Sequence, residues 1–185
     1  AASAHAPCHR LNPAEVLLDI IIVGGGGCGK SLLITDILTP LLQSFYGPEG
    51  VGLSAPSNKA ARAIGGKTMY ARNGLTPESS MRTASLASPD AKTQRKLEMT
   101  YGPLGAKIID EFIQLQGQMN HAAVLRATNG RRAKYNLIRE DYLMPRERWG
   151  RIAFLFYCGD HLQLPPVPKK TSMLAPLDGT SVEHK

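Results

Sequence analysis

Short apolar runs, separated by polar and glycine-rich segments, dominate the pattern of the chain. The segment 15–23 (EVLLDIIIV) ends in a continuous β-branched run, which is typical of a strand covered on both faces. Further strands are predicted at the start of 50–66, in 106–112 (AKIIDEF) and in 151–160 (RIAFLFYCGD), the last two buried. The segments between the four strands are long enough for crossover connections. Such connections carry the chain back to the end of the sheet where each parallel strand begins.

Apolar residues at helical spacing occur between these runs. A helix is expected after the glycine-rich loop, bent near Pro40, because proline removes a backbone donor. Others are predicted within 50–66, ending at Gly65–Gly66, and from about Pro89 to Met99. A fourth is expected to bury one face and to end at Asn129–Gly130, the buried residues being Leu115, Met119, Ala122 and Leu125. Strands alternating with helices predict an α/β fold with a mainly parallel sheet flanked by helices.

The composition fits one globular domain in 185 residues, with 43% apolar and 20% charged residues. The formal net charge of +7 favours a polyanionic partner such as nucleic acid, although many basic proteins bind none. Most of the excess falls in 121–151, where Tyr135, Tyr142 and Trp149 lie among the basic residues. This segment fits a contact to a nucleic-acid backbone, and fits slightly better a solvated face whose aromatic side chains pack inward.

Three cysteines, Cys8, Cys28 and Cys158, have no zinc-ligand spacing and are expected to be free thiols in a reducing compartment. The five histidines have no metal spacing either. The longest apolar runs are too short to span a membrane, and the first residues have no signal-peptide pattern.

The glycine-rich loop carries the strongest chemical signal, because it satisfies G-x-x-x-x-G-K-[ST] between a strand and a helix. Glycines let backbone N–H groups curl around phosphate oxygens, and the helix start adds its dipole. Lys30 is expected to reach the β- and γ-phosphates, and Ser31 to offer its hydroxyl to Mg²⁺. The predicted nucleotide-binding residues are Gly24, Gly25, Gly26, Gly27, Cys28, Gly29, Lys30 and Ser31.

An acidic pair, Asp110–Glu111, follows the third apolar run. Downstream of a phosphate-binding loop, such a pair suits a Walker B element. Asp110 is then the metal-side carboxylate, and Glu111 is the group that orients the attacking water. The second carboxylate favours hydrolysis over mere binding.

The segment 159–167 (GDHLQLPPV) places Asp160 and Gln163 after the fourth strand, at the sheet edge where the phosphate-binding loop also lies. Gln163 can donate to a γ-phosphate or to the attacking water. This segment resembles motif III of superfamily I DNA helicases of the RecD and PIF (petite integration frequency) type. Segments 53–68 (LSAPSNKAARAIGGKT) and 108–116 (IIDEFIQLQ) resemble their motifs Ia and II.

The resemblance covers roughly residues 18–175, and the arginine-rich stretch before the fourth strand is similar to helicases of helitron-like mobile elements. It implies a RecA-like ATPase domain at 15–175, between a loose tail at 1–14 and a truncated tail at 176–185. From the resemblance we expect the family's second RecA-like domain to be absent from these 185 residues, and with it the arginine that stabilises charge on the transferred phosphoryl group.

The resemblance also implies ATP and Mg²⁺ as cofactors and single-stranded DNA as the partner, with no membrane association. Pro56, Ser57, Lys59 and Thr68 would lie beside the DNA, Asp160 beside the nucleotide, and Lys30, Glu111 and Gln163 would act in hydrolysis. The family moves 5′ to 3′, unwinds duplexes and serves repair, recombination and telomere maintenance, which implies an intracellular protein, in the nucleus or mitochondrion if eukaryotic. Tyr70 departs from the family, which has histidine there, and no adenine-binding glutamine motif precedes the loop.

Two other functions stay open at this point. A P-loop kinase of a small metabolite shares the phosphate-binding loop but has no use for the motif III segment. An inactive remnant of a mobile element would keep the motifs by recent descent. We expect the 185-residue chain to bind nucleotide, to hydrolyse it very slowly and not to unwind DNA.

Overall fold

A five-stranded parallel sheet forms the centre of the computed structural model, which describes residues 17–76, 89–135 and 149–163. The order across the sheet is β1-β5-β4-β2-β3, and every neighbouring pair is parallel. The strands are β1 (Leu18–Val23), β2 (Val51–Ala55), β3 (Lys67–Thr68), β4 (Ala106–Ile109) and β5 (Phe154–Gly159). The predicted α/β fold with a parallel sheet is confirmed, with β3 as an additional short strand.

Helices connect the strands in chain order. One continuous helical stretch after β1 begins as α1 (Lys30–Leu32), passes through a π-helical segment (Leu33–Leu38) and ends as α2 (Thr39–Tyr46). The π-helical segment ends two residues before Pro40, and the predicted bend near Pro40 stays a prediction. The remaining helices are α3 (Asn58–Ala63), α4 (Met69–Asn73), α5 (Ala91–Tyr101) and α6 (Gly117–Tyr135), with 3₁₀ turns at Pro48–Gly50 and Phe112–Gln114.

The first strand lies at one edge of the described sheet, paired with β5 alone. Its exposure alternates along the strand, and Ile21 and Val23 are 64% and 55% exposed. The prediction that this strand is covered on both faces is wrong for the described residues. A β-branched run indicates a strand, but which faces are covered depends on what packs against it.

Two hydrophobic clusters cover the two faces of the sheet, and adjacent residues on the central strands point into different clusters. In β4, Ile108 packs with the α1–α2 side, whereas Ile109 packs with α5 and α6. In β5, Phe156 lies in the same cluster as Ile108, and Leu155 lies in the same cluster as Ile109. This alternation is the expected result of the period of two along a strand.

Helix α6 continues through Asn129–Gly130, so the predicted end at this pair is wrong. A Cβ atom on Gly130 would lie 2.4 Å from the carbonyl oxygen of Leu97 on α5. The glycine thus permits close approach of the two helices and does not terminate α6. The predicted buried face is confirmed, because Met119, Ala122 and Leu125 are buried.

The arginine-rich segment ends in a tight turn before β5, where Trp149, Gly150 and Arg151 all have positive φ. The guanidinium of Arg131, itself 1% exposed, donates to the carbonyl oxygens of Gly150 and Arg151 and to those of Tyr101 and Leu104. Trp149 is also buried, so its predicted inward packing is confirmed, whereas Arg131 is a buried structural cation and not part of a solvated face. Residues 136–148, including Arg139, Tyr142, Arg146 and Arg148, lie outside the described residues.

Two further expectations concern cysteines and membranes. Cys28 and Cys158 are free thiols, as predicted, and Cys8 lies outside the described residues. Among the described helices, none is both long and apolar enough to cross a membrane.

Candidate nucleotide site

The carboxyl ends of the parallel strands bring the predicted motifs to one edge of the sheet. The phosphate-binding loop follows β1, Asp110 follows β4 and Asp160 follows β5, and these three strands are neighbours in the order β1-β5-β4. The loop is tied to β5 by a hydrogen bond from the Gly24 N–H to the Gly159 carbonyl oxygen, at 3.1 Å. Ligands of open parallel sheets bind at this edge, so the topology supports the predicted nucleotide site.

The phosphate-binding loop requires glycine at two positions, since Gly27 and Gly29 have φ values of 74° and 88°. Gly29 is the N-terminal flanking residue of α1, where no side chain caps the helix. The Lys30 ammonium donates to the carbonyl oxygens of Gly24 and Gly25, at 2.6 and 2.9 Å. Lys30 is therefore folded back over its own loop, within reach of any anion bound there.

Asp110 is almost fully buried at the end of β4, at 3% exposure. Its backbone N–H donates to the Ser54 carbonyl oxygen at 2.9 Å, which fixes it against β2. Burial raises the pKa of its carboxyl, and the hydrogen bond from the Glu111 N–H opposes the shift. The Glu111 carboxylate raises the pKa further, and the Lys30 ammonium lowers it. A nearby cation stabilises the charged form of a buried carboxylate. Asp110 therefore suits the role of the carboxylate on the metal side of the site.

Glu111 adopts a left-handed backbone conformation, with φ 53°. This conformation costs a residue other than glycine about 1 kcal/mol or more and is found preferentially at functional sites. Its N–H donates to the Asp110 carboxylate at 3.0 Å. The two acids thus share one rigid corner, with the Glu111 side chain turned toward the end of β5.

Asp160 and Gln163 form a short turn after β5. Asp160 is 5% exposed, and its carboxylate accepts from the Leu162 N–H at 2.9 Å. The Gln163 N–H donates to the Asp160 carbonyl oxygen at 3.0 Å. The side-chain amide of Gln163 donates to the Glu111 carboxylate at 3.4 Å, so motifs II and III meet directly.

Sequence reasoning missed Gln114 and gave Cys158 no role at the site. The amide of Gln114 donates to Gln163 at 3.0 Å and to Glu111 at 3.4 Å. Its position three residues after Glu111 is the available signal, because a 3₁₀ turn brings residues i and i+3 together. Cys158 lies near Asp110, and burial raises the pKa of its thiol to about 12.

The predicted DNA-side residues lie at the carboxyl ends of the neighbouring strands β2 and β3. Thr68 pairs with Ala55, the residue before Pro56 and Ser57. Ser57 and Thr68 cap α3 and α4, accepting from the Ala60 and Ala71 N–H groups at 3.2 and 3.1 Å. Lys59 is exposed. These residues lie at one edge of the sheet, and two of them cap helices. Their contact with DNA stays a prediction.

The candidate metal residues suit Mg²⁺, which prefers oxygen ligands and keeps several waters. The exposed hydroxyl of Ser31 and the buried carboxylate of Asp110 supply two such oxygens. Within the described ranges, no group of three or more His, Cys, Asp or Glu side chains could hold a metal ion. Two protein oxygens suit a Mg²⁺ ion that takes its other ligands from nucleotide phosphates and water.

Comparison with known proteins gives consistent results, although no protein-family model matches the chain. The chain is 28% identical over 158 residues to the ATP-dependent DNA helicase PIF1 of Saccharomyces cerevisiae, covering 82% of the chain and 16% of that helicase. It is also 28% identical over 152 residues to the helicase RRM3 of the same yeast, covering 82% of the chain and 19% of the relative. The predicted resemblance to Pif1-type helicases is confirmed.

Solved Pif1 structures share the fold. The chain matches the Pif1 helicase of Candida albicans with a TM-score of 0.56 and 28% identity, over 87% of this chain and 34% of the other. A Bacteroides Pif1 in complex with ADP-AlF3 and single-stranded DNA matches with a TM-score of 0.55 and 21% identity, over 86% of this chain and 32% of the other. The chain thus spans about one sixth of the first yeast relative and one third of the solved Pif1 chains. Its narrower likeness to the mobile-element branch stays a prediction.

Proposed function

We propose that the chain is the first motor domain of an ATP-dependent DNA helicase. In the fuller enzyme it binds and hydrolyses ATP with Mg²⁺ to drive 5′ to 3′ movement on single-stranded DNA and to unwind duplexes. The observation that carries the proposal is the contact between Gln163 and Glu111, which joins motif III to the hydrolytic carboxylate at the nucleotide edge. A metabolite kinase has no use for this contact, and the Pif1-type relatives favour the helicase.

The residues divide the work of hydrolysis. The loop glycines and Lys30 bind the β- and γ-phosphates, while Ser31 and Asp110 hold the hydrated Mg²⁺, which supplies charge neutralisation on the phosphate oxygens. Glu111 orients a water for in-line attack on the γ-phosphorus and takes its proton, while the bond from the γ-phosphorus to the β-phosphate oxygen breaks and ADP leaves. Gln163 donates to the γ-phosphate, and Asp160 holds the turn that carries Gln163 in place.

The DNA partner is supported by position and charge. Pro56, Ser57 and Lys59 follow β2 and Thr68 ends β3, on the same sheet edge as the nucleotide residues. A strand of DNA there would lie near the end of β2, where the Ser54 carbonyl oxygen, two residues before Pro56, accepts from the Asp110 N–H. Binding of DNA can therefore alter the metal side of the nucleotide site through β2. A DNA substrate also places the protein in a DNA-containing compartment, the nucleus or mitochondrion in a eukaryote, with roles in repair, recombination or telomere maintenance.

A single-turnover assay with the chain in excess over radiolabelled ATP tests the proposed chemistry. We expect slow, Mg²⁺-dependent release of phosphate that single-stranded DNA accelerates. Glu111→Gln should lower the rate by about 10²-fold or more, as loss of a general base does, while nucleotide still binds.

The matched control is Glu49→Gln, since Glu49 is exposed and lies on the 3₁₀ turn before β2. An unchanged rate in Glu111→Gln would contradict the assignment. Transfer of the phosphoryl group to a metabolite in place of water would favour the kinase.

A further inference from the structure

Gln114 joins two motifs that belong to different strands. Its side-chain amide nitrogen lies 3.0 Å from the Gln163 Oε1 and 3.4 Å from the Glu111 Oε2. The Gln163 amide nitrogen in turn lies 3.4 Å from the Glu111 Oε1. The three side chains close a triangle at the carboxyl ends of β4 and β5.

The donors and acceptors of an amide group explain how the hydrogen bonds of this triangle are arranged. An amide carries two N–H hydrogens, and Gln114 directs one to each of its neighbours. Each oxygen of the Glu111 carboxylate then accepts from a different glutamine, which fixes the rotation of the carboxylate about its last bond. The Gln163 amide has a second N–H, which can donate to a ligand.

The backbone places Gln114 rigidly. It ends the 3₁₀ turn Phe112–Gln114, and its N–H donates to the Glu111 carbonyl oxygen at 3.0 Å. Phe112 and Ile113 are buried, and the Phe112 ring contacts that of Tyr157 on β5 edge-on, with centroids 5.8 Å apart. A side chain on so firmly anchored a turn can hold other groups in position without moving itself.

We propose that Gln114 is a positioning residue that holds the Glu111 carboxylate and the Gln163 amide in register. Contact of Gln163 with the γ-phosphate is thereby transmitted to the carboxylate that orients the attacking water. This role rests on the proposed function and deepens it, because it names the link between sensing the nucleotide and hydrolysing it.

The test compares Gln114→Met, which keeps the length of the side chain and removes its N–H groups, with Gln118→Met. Gln118 is exposed and lies four residues further on, in α6. Affinity for a non-hydrolysable ATP analogue should change by no more than about twofold in either variant, the usual scatter of an uncoupled substitution. The single-turnover rate should fall roughly tenfold to a hundredfold in Gln114→Met alone, because small misplacements of catalytic groups are costly.

Non-additivity separates positioning from a general structural effect. If Gln114 acts through Gln163 and Glu111, Gln114→Met should add little to the loss already caused by Gln163→Met. Fully multiplicative losses would overturn the proposal, as would equal rates in Gln114→Met and Gln118→Met.

A spectroscopic readout keeps the test independent of turnover. In ¹⁵N-glutamine-labelled, ligand-free protein, Gln163→Met should shift the side-chain amide signals of Gln114 and leave those of Gln118 in place. Unshifted Gln114 signals would overturn the proposal. Lys30→Ala in the same series tests the proposed function separately. If Lys30→Ala still binds nucleotide, the nucleotide site itself is contradicted. If Lys30→Ala loses binding but Gln114→Met hydrolyses ATP at the wild-type rate, only the role of Gln114 is contradicted.

Discussion

Asp110 has to be charged in order to bind a metal ion, but it is also buried. Burial of a charged carboxylate is costly when no metal ion is bound. Burial raises the pKa of its carboxyl. Between the unfolded value, about 3.9, and the raised folded value, the folded chain binds more protons. The free energy of unfolding therefore falls as pH rises through this window, and the cost persists above it.

Asp110→Asn should consequently raise the melting temperature of the ligand-free chain at pH 7 and reduce the further rise produced by Mg²⁺ and an ATP analogue. For a domain of this size, each 1 kcal/mol corresponds to about 2–4 °C. Thermal unfolding with and without the ligands measures both effects, with the exposed Asp19→Asn as control. A lower melting temperature without ligand would contradict the strain assigned to Asp110.

Lys107 is a second buried charge, in the middle of β4. Its ammonium nitrogen donates to the Ser54 hydroxyl at 3.2 Å and lies 4.9 Å from the centroid of the Trp149 ring. Burial, with a smaller contribution from Arg72, holds its pKa well below the usual value. The folded chain then binds fewer protons than the unfolded chain below about pH 10.4, so stability rises with pH between the lowered folded value and that limit.

Lys107→Met should raise the melting temperature at pH 7 and remove part of the gain in stability between pH 7 and pH 9. The methionine fills a similar volume and leaves no amine to desolvate. Thermal unfolding at the two pH values, beside Lys92→Met on the exposed face of α5, measures the effect. A variant less stable than wild type at both pH values would show that the Ser54 and aromatic contacts outweigh burial.

The helices and turns behind the sheet are joined by Arg131, which links α6, the end of α5 and the turn before β5. From α6 its guanidinium donates to carbonyl oxygens at and just after the end of α5 and in the turn, including those of Tyr101 at 2.9 Å and Arg151 at 3.0 Å. Three consecutive residues of positive φ, at 149–151, precede the strand that carries Asp160 and Gln163. Arg131 therefore ties the segment that leads into the motif III strand to α5 and α6.

Arg131→Met should lower the free energy of unfolding by about 3 kcal/mol or more, because it leaves several buried carbonyl oxygens without donors. Urea denaturation measures the change, and Arg95→Met, on the exposed side of α5, is the matched control. Equal midpoints for the two variants would refute the linking role.

Local sequence patterns predicted which segments form strands and helices. They predicted less well which faces of those strands and helices are buried by neighbouring elements. The strands β1, β2, β4 and β5 and the motifs at their ends follow from apolar runs and fixed spacings, which are local properties. The exposed face of β1 and the passage of α6 through Gly130 depend on which elements lie beside them, and no local pattern contains that information. The same holds within the site: the phosphate-binding loop is a contiguous motif, whereas the bond from Gln114 to Gln163 spans 49 positions of sequence.

The 185 residues match only part of the length of the Pif1 helicases, which bears on what they can do by themselves. The chain carries motifs I, Ia, II and III, and it spans about one third of the solved Pif1 chains. An arginine supplied from outside the nucleotide site typically accelerates phosphoryl transfer by roughly 10³–10⁵. We therefore expect no unwinding of a tailed duplex by the 185-residue chain, and a fluorescence assay of strand separation tests this. Robust unwinding would show that these motifs suffice without a second motor domain.

The most direct test of nucleotide binding is a titration of a fluorescent ATP analogue with Mg²⁺ into the chain, with and without single-stranded DNA. Lys30→Ala removes the ammonium that lies over the loop, and Lys92→Ala, an exposed lysine on α5, is the control. Saturable binding that DNA shifts, that Lys92→Ala retains and that Lys30→Ala loses is the predicted result. Absence of binding by a chain shown to be folded would contradict the account and indicate that the motifs are relics of a helicase ancestor.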